Sequence, residues 1–227
     1  MIKLLIIVVI VVIFKFLYDN KIVFRFETLL RKGFKVACEK FGTYCFCGKM
    51  GSGKTYSVVD FIDSIRSKDM KVVTNVLSYA NKNKDFCIYE PDFYKIIDNF
   101  TNGVYDYNYI IFYDEIFTLL EKGKLNRSIL AFISQLRKMH VYLVTTAQEW
   151  LEINVTFRRY VRYQVDCKMF NFANLCAFSI NEINDGYSLK WSNEDNEYIA
   201  PRIKTTIKKC SKKLADSYDT FEVIKTA

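Results

Sequence analysis

The sequence predicts an α/β fold with a mainly parallel sheet flanked by helices, and three observations predict it. Short apolar runs at 43–47, 109–113 and 141–146 are typical of strands that are buried on both faces. Residues 58–65 and 129–136 carry apolar side chains at helical spacing. The chain of 227 residues is 51% apolar with only 2 Pro and 8 Gly, which is enough to fill the core of one domain.

The first element is the apolar segment 1–18, MIKLLIIVVIVVIFKFLY, which only Lys3 and Lys15 interrupt. A cleaved signal peptide is disfavoured because no small-residue cleavage site follows, and a buried core element is the other alternative. We expect an uncleaved, single-pass transmembrane anchor whose two lysines extend to the headgroups. Because most nearby basic residues follow the segment, we expect the body of the protein in the cytoplasm.

Residues 19–42 mix apolar and basic side chains and are expected to form a basic juxtamembrane linker. An amphipathic helix on anionic lipid and a helix packed on the following domain are both compatible with this pattern.

The segment 43–60, TYCFCGKMGSGKTYSVVD, contains a complete G-x-x-x-x-G-K-[ST] motif between a predicted strand and a predicted helix. In this motif backbone N–H groups surround phosphate oxygens, the lysine reaches the β- and γ-phosphates, and the hydroxyl binds Mg²⁺. The residues expected to bind nucleotide are Gly48, Met50, Gly51, Ser52, Gly53, Lys54, Thr55 and Tyr56. The sequence therefore predicts a P-loop NTPase domain over 43–200, with ATP and Mg²⁺ as cofactors.

The apolar run 109–113 ends in Asp114 and Glu115. Because a buried parallel strand presents its last residues beside the phosphate loop, we expect Asp114 and Thr55 to hold Mg²⁺ and Glu115 to act as general base. The alternative is that the acidic pair caps the following helix.

Three further residues are candidates for catalysis. Gln148 follows the strand predicted at 141–146 and could sense the γ-phosphate, or form a loop hydrogen bond. Arg158 and Arg159 belong to an arginine-rich stretch that either supplies an arginine finger to a neighbouring subunit or forms a DNA-facing or solvated basic face.

The formal net charge is +8, and basic residues recur after Pro201, so we expect a basic C-terminal tail over 201–227. This excess favours contact with nucleic acid or anionic lipid, or reflects a lysine-rich composition without any partner. The seven cysteines include no C-x-x-C pair, which indicates reduced, mostly buried thiols.

With the motifs GKMGSGKT, IIFYDE and FISQLRKMHVYLVTTAQ in this order, the chain resembles the additional-strand P-loop ATPases, and among them the FtsK/HerA-type DNA-pumping ATPases. More narrowly, it is similar to the zonular occludens toxin (Zot)-like assembly proteins of filamentous phages over about residues 40–170. In those proteins the membrane segment follows the ATPase domain, whereas the apolar segment leads here.

This resemblance implies an ATP hydrolase, anchored in the host cell membrane as a homo-oligomeric ring, that powers phage assembly and extrudes phage DNA together with coat or other assembly proteins. A packaging ATPase that pumps DNA into a capsid shares every motif and is the alternative. A non-motor, membrane-bound nucleotide-binding protein is a further one, which the position of Glu115 disfavours. A regulatory GTPase is disfavoured because no Asn-Lys-x-Asp follows the acidic strand.

Overall fold

A computed structural model describes residues 2–19, 22–24, 41–105, 108–119, 126–172, 176–193 and 196–219. The helices are α1 (Ile2–Asp19), α2 (Lys54–Ile65), α3 (Leu77–Lys82), α4 (Phe93–Thr101), α5 (Arg127–Gln135), α6 (Val155–Arg158) and α7 (Lys212–Ala215). The strands are β1 (Ile22–Phe24), β2 (Gly42–Cys47), β3 (Lys71–Thr74), β4 (Cys87–Tyr89), β5 (Tyr109–Tyr113), β6 (Tyr142–Ala147), β7 (Val161–Phe172), β8 (Cys176–Asp185), β9 (Lys190–Ser192), β10 (Glu197–Ile199) and β11 (Arg202–Lys209). Single 3₁₀ turns lie at Ile116–Leu119 and Trp150–Glu152.

Within these residues, one sheet of nine strands has the order β1-β11-β8-β7-β2-β6-β5-β3-β4. All neighbouring strands from β7 to β4 are parallel, and β1 is parallel to β11. Only β8 runs antiparallel to its two neighbours. The predicted α/β fold with a mainly parallel sheet is therefore confirmed, with an antiparallel addition at one side.

The core lies on both faces of this sheet because the central strands β2, β5 and β6 are mostly apolar and are buried at every position. Side chains of β2, β5 and β6 alternate between a cluster around Tyr44, Phe61 and Val144 on the α2 face and a cluster around Ile111 and Leu143 on the other. With both faces buried, the loops at the strands' carboxyl ends are the place where polar side chains can gather.

The expectation of a transmembrane anchor is wrong. No helix in the described ranges combines the length and the apolar character that crossing a bilayer requires. The reason lies in α1, whose 18 residues reach about 27 Å at 1.5 Å per residue and include Lys3, Lys15 and Asp19. The predicted single-pass location in the host membrane, with the ATPase domain in the cytoplasm, depended on this anchor and is also wrong.

The expected boundaries at 42 and 200 also need correction. Residues 20, 21 and 25–40 of the expected linker lie outside the described residues, but Ile22–Phe24 is a strand of the sheet, paired with β11. The expected basic tail is wrong for residues 202–219, because β11 lies between β1 and β8 and Tyr218 is buried in the core. The strand Ile22–Phe24 and residues 202–219 are therefore part of the same sheet domain.

Candidate nucleotide site

The predicted phosphate loop connects the fully buried strand β2 to the first turn of α2. Its glycines are required by their surroundings. Gly48 has φ 151°, and a Cβ there would lie 2.4 Å from Ser52 Oγ and 2.8 Å from the Cys167 carbonyl oxygen. Gly53 has φ 82° and directly precedes α2, and a Cβ there would lie 2.6 Å from Met169 Cε. The strand β7 therefore packs against one side of the loop and restricts the space at Gly48 and Gly53.

Polar groups of the loop are arranged for an anion at the start of α2. Lys54 Nζ donates to the carbonyl oxygens of Gly48 (2.7 Å) and Lys49 (3.2 Å), so the ammonium group lies along the loop. Ser52 Oγ is buried and has no hydrogen-bond partner among the residues that the structure describes. A helix N-terminus adds the positive end of its dipole and its first N–H groups. These features fit the phosphates of a nucleotide.

The acidic pair lies at the carboxyl end of β5, as predicted. Thr146 Oγ1, from the end of neighbouring β6, donates to Asp114 Oδ1 and accepts from the Glu115 N–H at 2.8 Å. The side chain of Asn75 pairs with the backbone of Asp114, accepting from its N–H at 2.8 Å and donating to its carbonyl oxygen at 3.0 Å. Glu115 has φ 54°, an uncommon conformation for this residue that is often found at functional sites.

Burial raises the pKa of the Asp114 carboxyl from its usual 3.8 to about 6. The hydrogen bond from Thr146 acts in the opposite direction, the charge of Glu115 raises the pKa further, and the charge of Lys54 lowers it. A partly desolvated carboxylate whose pKa is lowered by the charge of the loop lysine is a suitable ligand for Mg²⁺, which prefers oxygen ligands. The residues present therefore fit the predicted cofactors, and Thr55 at the start of α2 stays a predicted second ligand.

Sequence reasoning missed Thr146 and Asn75. Thr146 is the fifth residue of a β6 that is buried throughout, and Asn75 follows directly after β3. A polar residue at the carboxyl end of a buried parallel strand was the available signal, because the ends of β3, β5 and β6 lie side by side in the sheet.

Three other predicted residues, Gln148, Met50 and Tyr56, lie in or next to the phosphate loop, and their surroundings differ. The Gln148 carbonyl oxygen accepts from the Gly48 N–H at 3.1 Å, so Gln148 is next to the phosphate loop, and its role as a sensor stays a prediction. Met50 is 84% exposed. The side chain of Tyr56 is buried and its hydroxyl accepts from the Ser211 N–H at 2.7 Å, which leaves only the backbone of Tyr56 for phosphate.

The structure does not bring Arg158 and Arg159 to this site. They precede β7, whose first residue Val161 pairs with Thr43 at the start of β2, whereas the phosphate loop follows the other end of β2. Arg158 is 4% exposed, with its guanidinium 5.8 Å from the centre of the Trp150 ring, and Arg159 is exposed. Both arginines therefore lie at the opposite edge of the sheet.

The sheet order places β6 between the loop strand β2 and the acidic strand β5, and this order together with the loop defines a P-loop nucleotide-binding domain. No family model and no curated protein matches the chain.

Among solved structures, the chain is similar to the N-terminal domain of zonular occludens toxin from Neisseria meningitidis, with 14% identity, 79% of this chain and 100% of that chain covered, and a TM-score of 0.46. It is also similar to B204, the DNA-packaging ATPase from Sulfolobus Turreted Icosahedral Virus, with 12% identity, 70% and 96% covered, and a TM-score of 0.47. The flagellar accessory protein FlaH from Methanocaldococcus jannaschii gives 13% identity, 74% and 88% covered, and a TM-score of 0.46. Because all three TM-scores lie below 0.5, the fold class rests on the sheet order and loop of this chain.

Proposed function

We propose that this protein is a Mg²⁺-dependent ATP hydrolase that moves DNA during phage assembly. The observation that carries the enzymatic part is the arrangement of Asp114, Glu115 and Thr146, which are joined by hydrogen bonds at the carboxyl end of the sheet. The charge of Lys54 lowers the pKa of the Asp114 carboxyl, which links the phosphate loop to this group.

Each side chain has a distinct role in this proposal. Lys54 compensates the charge of the β- and γ-phosphates, and Thr55 and Asp114 hold Mg²⁺, which supplies further positive charge to the phosphate oxygens. Glu115 accepts the proton of the attacking water. Thr146 positions the acidic pair, because one hydroxyl contacts both the Asp114 carboxylate and the Glu115 backbone.

Two residues are assigned to sensing the γ-phosphate and to coupling neighbouring subunits. Gln148, adjacent to the phosphate loop through its backbone, senses the γ-phosphate. In a homo-oligomeric ring an arginine of one subunit would stabilise charge on the γ-phosphate bound by its neighbour. Arg159 is better suited to this than Arg158, which is buried beside Trp150.

The DNA part of the proposal is supported by the net charge of +8 and by the motif order that resembles DNA-pumping ATPases. Phage DNA and phage coat or other assembly proteins are the partners that this resemblance implies.

The test is ATP hydrolysis by the full chain with single-stranded DNA, with double-stranded DNA and without DNA. Glu115→Gln should lower kcat by about 10²–10⁴-fold while ATP still binds, because the general base is lost and the phosphate loop is intact. Glu149→Gln, the same substitution at an exposed position, is the matched control and should hydrolyse ATP as the wild type does.

DNA should stimulate hydrolysis, and the preferred strand form separates extrusion of single strands from packaging of duplex. Unchanged kcat in Glu115→Gln would refute the assigned base. Hydrolysis that no DNA affects would refute the motor while leaving the ATPase in place.

A further inference from the structure

A cavity with a volume of about 230 Å³ lies at the edge of the sheet opposite the phosphate loop. The side chains of Arg158 and Arg159 line it from the end of α6, and those of Tyr187 and Tyr198 line it from the segment that follows β8. Among the described residues, those that line the cavity include two arginines and neither Asp nor Glu.

The turn after β8 is held in place by specific contacts. The Gly186 N–H donates to the Arg162 carbonyl oxygen at 3.0 Å, and a Cβ at Gly186 would lie 2.2 Å from the Val161 carbonyl oxygen. The two oxygens of the Asp185 carboxylate accept from the Tyr187 N–H at 3.1 Å and from Ser188 Oγ at 2.8 Å. The turn therefore fixes the backbone of Tyr187 close to the start of β7, and the Asp185 carboxylate is engaged in hydrogen bonds within the turn.

Aromatic side chains remain exposed around this cavity although each is large and apolar. Tyr187 is 50% exposed, Trp191 54% and Tyr198 46%. Trp191 and Tyr198 are opposite each other in the β9–β10 hairpin, with ring centres 5.2 Å apart. The Arg162 guanidinium lies 5.5 Å from the centre of the Tyr187 ring. Exposed rings beside arginines form the combination that binds unpaired bases and their phosphates.

We propose that this cavity and its aromatic rim bind single-stranded nucleic acid, with a base stacked on Tyr187 or Tyr198 and the adjoining phosphates on Arg159 and Arg162. Stacking requires a free base face, which a single strand offers and a duplex does not. The cavity is smaller than the about 300–1,000 Å³ of sites for drug-sized ligands, so it suits one planar ring of a longer strand.

This inference rests on the proposed function for its DNA and deepens it by assigning the contact residues. It gives the arginines a use within their own subunit, whereas an arginine finger would act only on a nucleotide bound by a neighbour. Binding measured without nucleotide therefore separates the two roles.

The experiment is binding of a fluorescein-labelled oligothymidine of about 16 nucleotides to the full chain without nucleotide, followed by anisotropy across salt concentrations. Tyr187→Leu should weaken binding about tenfold, because base–aromatic stacking is lost, and Tyr187→Phe should bind like the wild type. Tyr94→Leu removes a tyrosine of similar exposure on α4 and is the matched control.

For the charge, Arg159→Gln should reduce the slope of log K against log salt by about 0.7, the value for one phosphate contact on a single strand. Arg137→Gln, at an exposed position after α5, makes the same charge change and should leave the slope unaltered. A Trp150→Phe protein, which retains Trp191 as its one tryptophan, should show fluorescence quenching when the oligonucleotide binds.

Equal binding by wild type, Tyr187→Leu and Arg159→Gln would overturn the proposal. Preference for duplex over the single strand would overturn it too, as would self-association through this face that Tyr187→Leu abolishes without any effect on nucleic acid. Lys54→Ala should bind the oligonucleotide normally while losing ATP hydrolysis, so failure of this site and failure of the proposed ATPase give different results.

Discussion

Replacement of Asp114 by Asn is expected to stabilise the nucleotide-free protein at pH 8 and to abolish its response to Mg²⁺. The amide has nearly the same shape, and its oxygen can still accept the hydrogen bond from Thr146 Oγ1. The backbone contacts with Asn75 do not involve the exchanged group. The substitution therefore removes the desolvated charge and replaces one carboxylate oxygen by an NH₂ group.

The magnitude follows from the pKa of Asp114, which burial raises from 3.8 to about 6. Because the folded value is the higher one, the folded state binds more protons between pH 3.8 and about 6, and stability falls as the pH rises through this window. The loss is about 3 kcal/mol at pH 8 and about half of that at pH 5. Asn does not titrate, so its advantage in the free energy of unfolding should follow this curve.

The assay is urea unfolding in EDTA at pH 5 and pH 8 for wild type, Asp114→Asn and the exposed control Asp98→Asn. The control should change stability by less than about 0.5 kcal/mol at both pH values. Addition of Mg²⁺ and ATPγS should then stabilise the wild type and not Asp114→Asn. An Asp114→Asn protein no more stable than wild type at pH 8, or equally stabilised at both pH values, would refute the reasoning.

Three other substitutions test contacts around the phosphate loop. Gly48→Ala should lower the free energy of unfolding by about 1–3 kcal/mol and impair ATP binding, because the new methyl group would clash with Ser52 of the loop and with the backbone of β7. Normal ATP affinity measured by calorimetry would contradict this. Tyr56→Phe should cost about 1 kcal/mol in urea unfolding through loss of the hydrogen bond from the Ser211 N–H, and an unchanged midpoint would argue against that contact. Lys208→Met should cost about 3 kcal/mol or more because it removes the ammonium group that pairs with the buried carboxylate of Asp60, and adding Asp60→Asn should recover most of the loss; a single variant as stable as wild type would disprove the contribution of the pair.

The phosphate loop and the acidic pair could be predicted from the sequence because their chemistry requires fixed residue types at fixed spacing next to apolar strands. Thr146 escaped because its sequence neighbourhood is that of an ordinary buried strand, and only the adjacency of β6 and β5 brings it to Asp114. The same holds for Asn75, which contacts a backbone 39 residues later in the chain.

Residues 202–209, RIKTTIKK, illustrate why the rest of the fold could not be predicted. Their lysines and arginine indicate a solvated tail, yet Lys208 pairs with Asp60 of α2, 148 residues earlier. Thr205 and Thr206 are buried between β8 and β1. Because Asp60 neutralises Lys208, the β-branched residues between the charged ones can form a buried strand. The sequence alone does not reveal that these two distant residues form a pair.

The strand β7 connects the two sites in one rigid element. At one end Met169 is in contact with Gly53 of the phosphate loop, and at the other Arg162 lies beside Tyr187 at the aromatic cavity. Met169 lies seven positions after Arg162, which is about 23 Å along a strand. Between these ends residues 163–166 of β7 are paired on both sides, with β2 and with β8, and residues 167–172 continue the pairing with β8, so displacement of one end without the other would disrupt these hydrogen bonds. Communication between nucleotide and nucleic acid would therefore require β7 to move as a unit, and measuring oligonucleotide affinity with and without ATPγS determines whether the two sites are coupled.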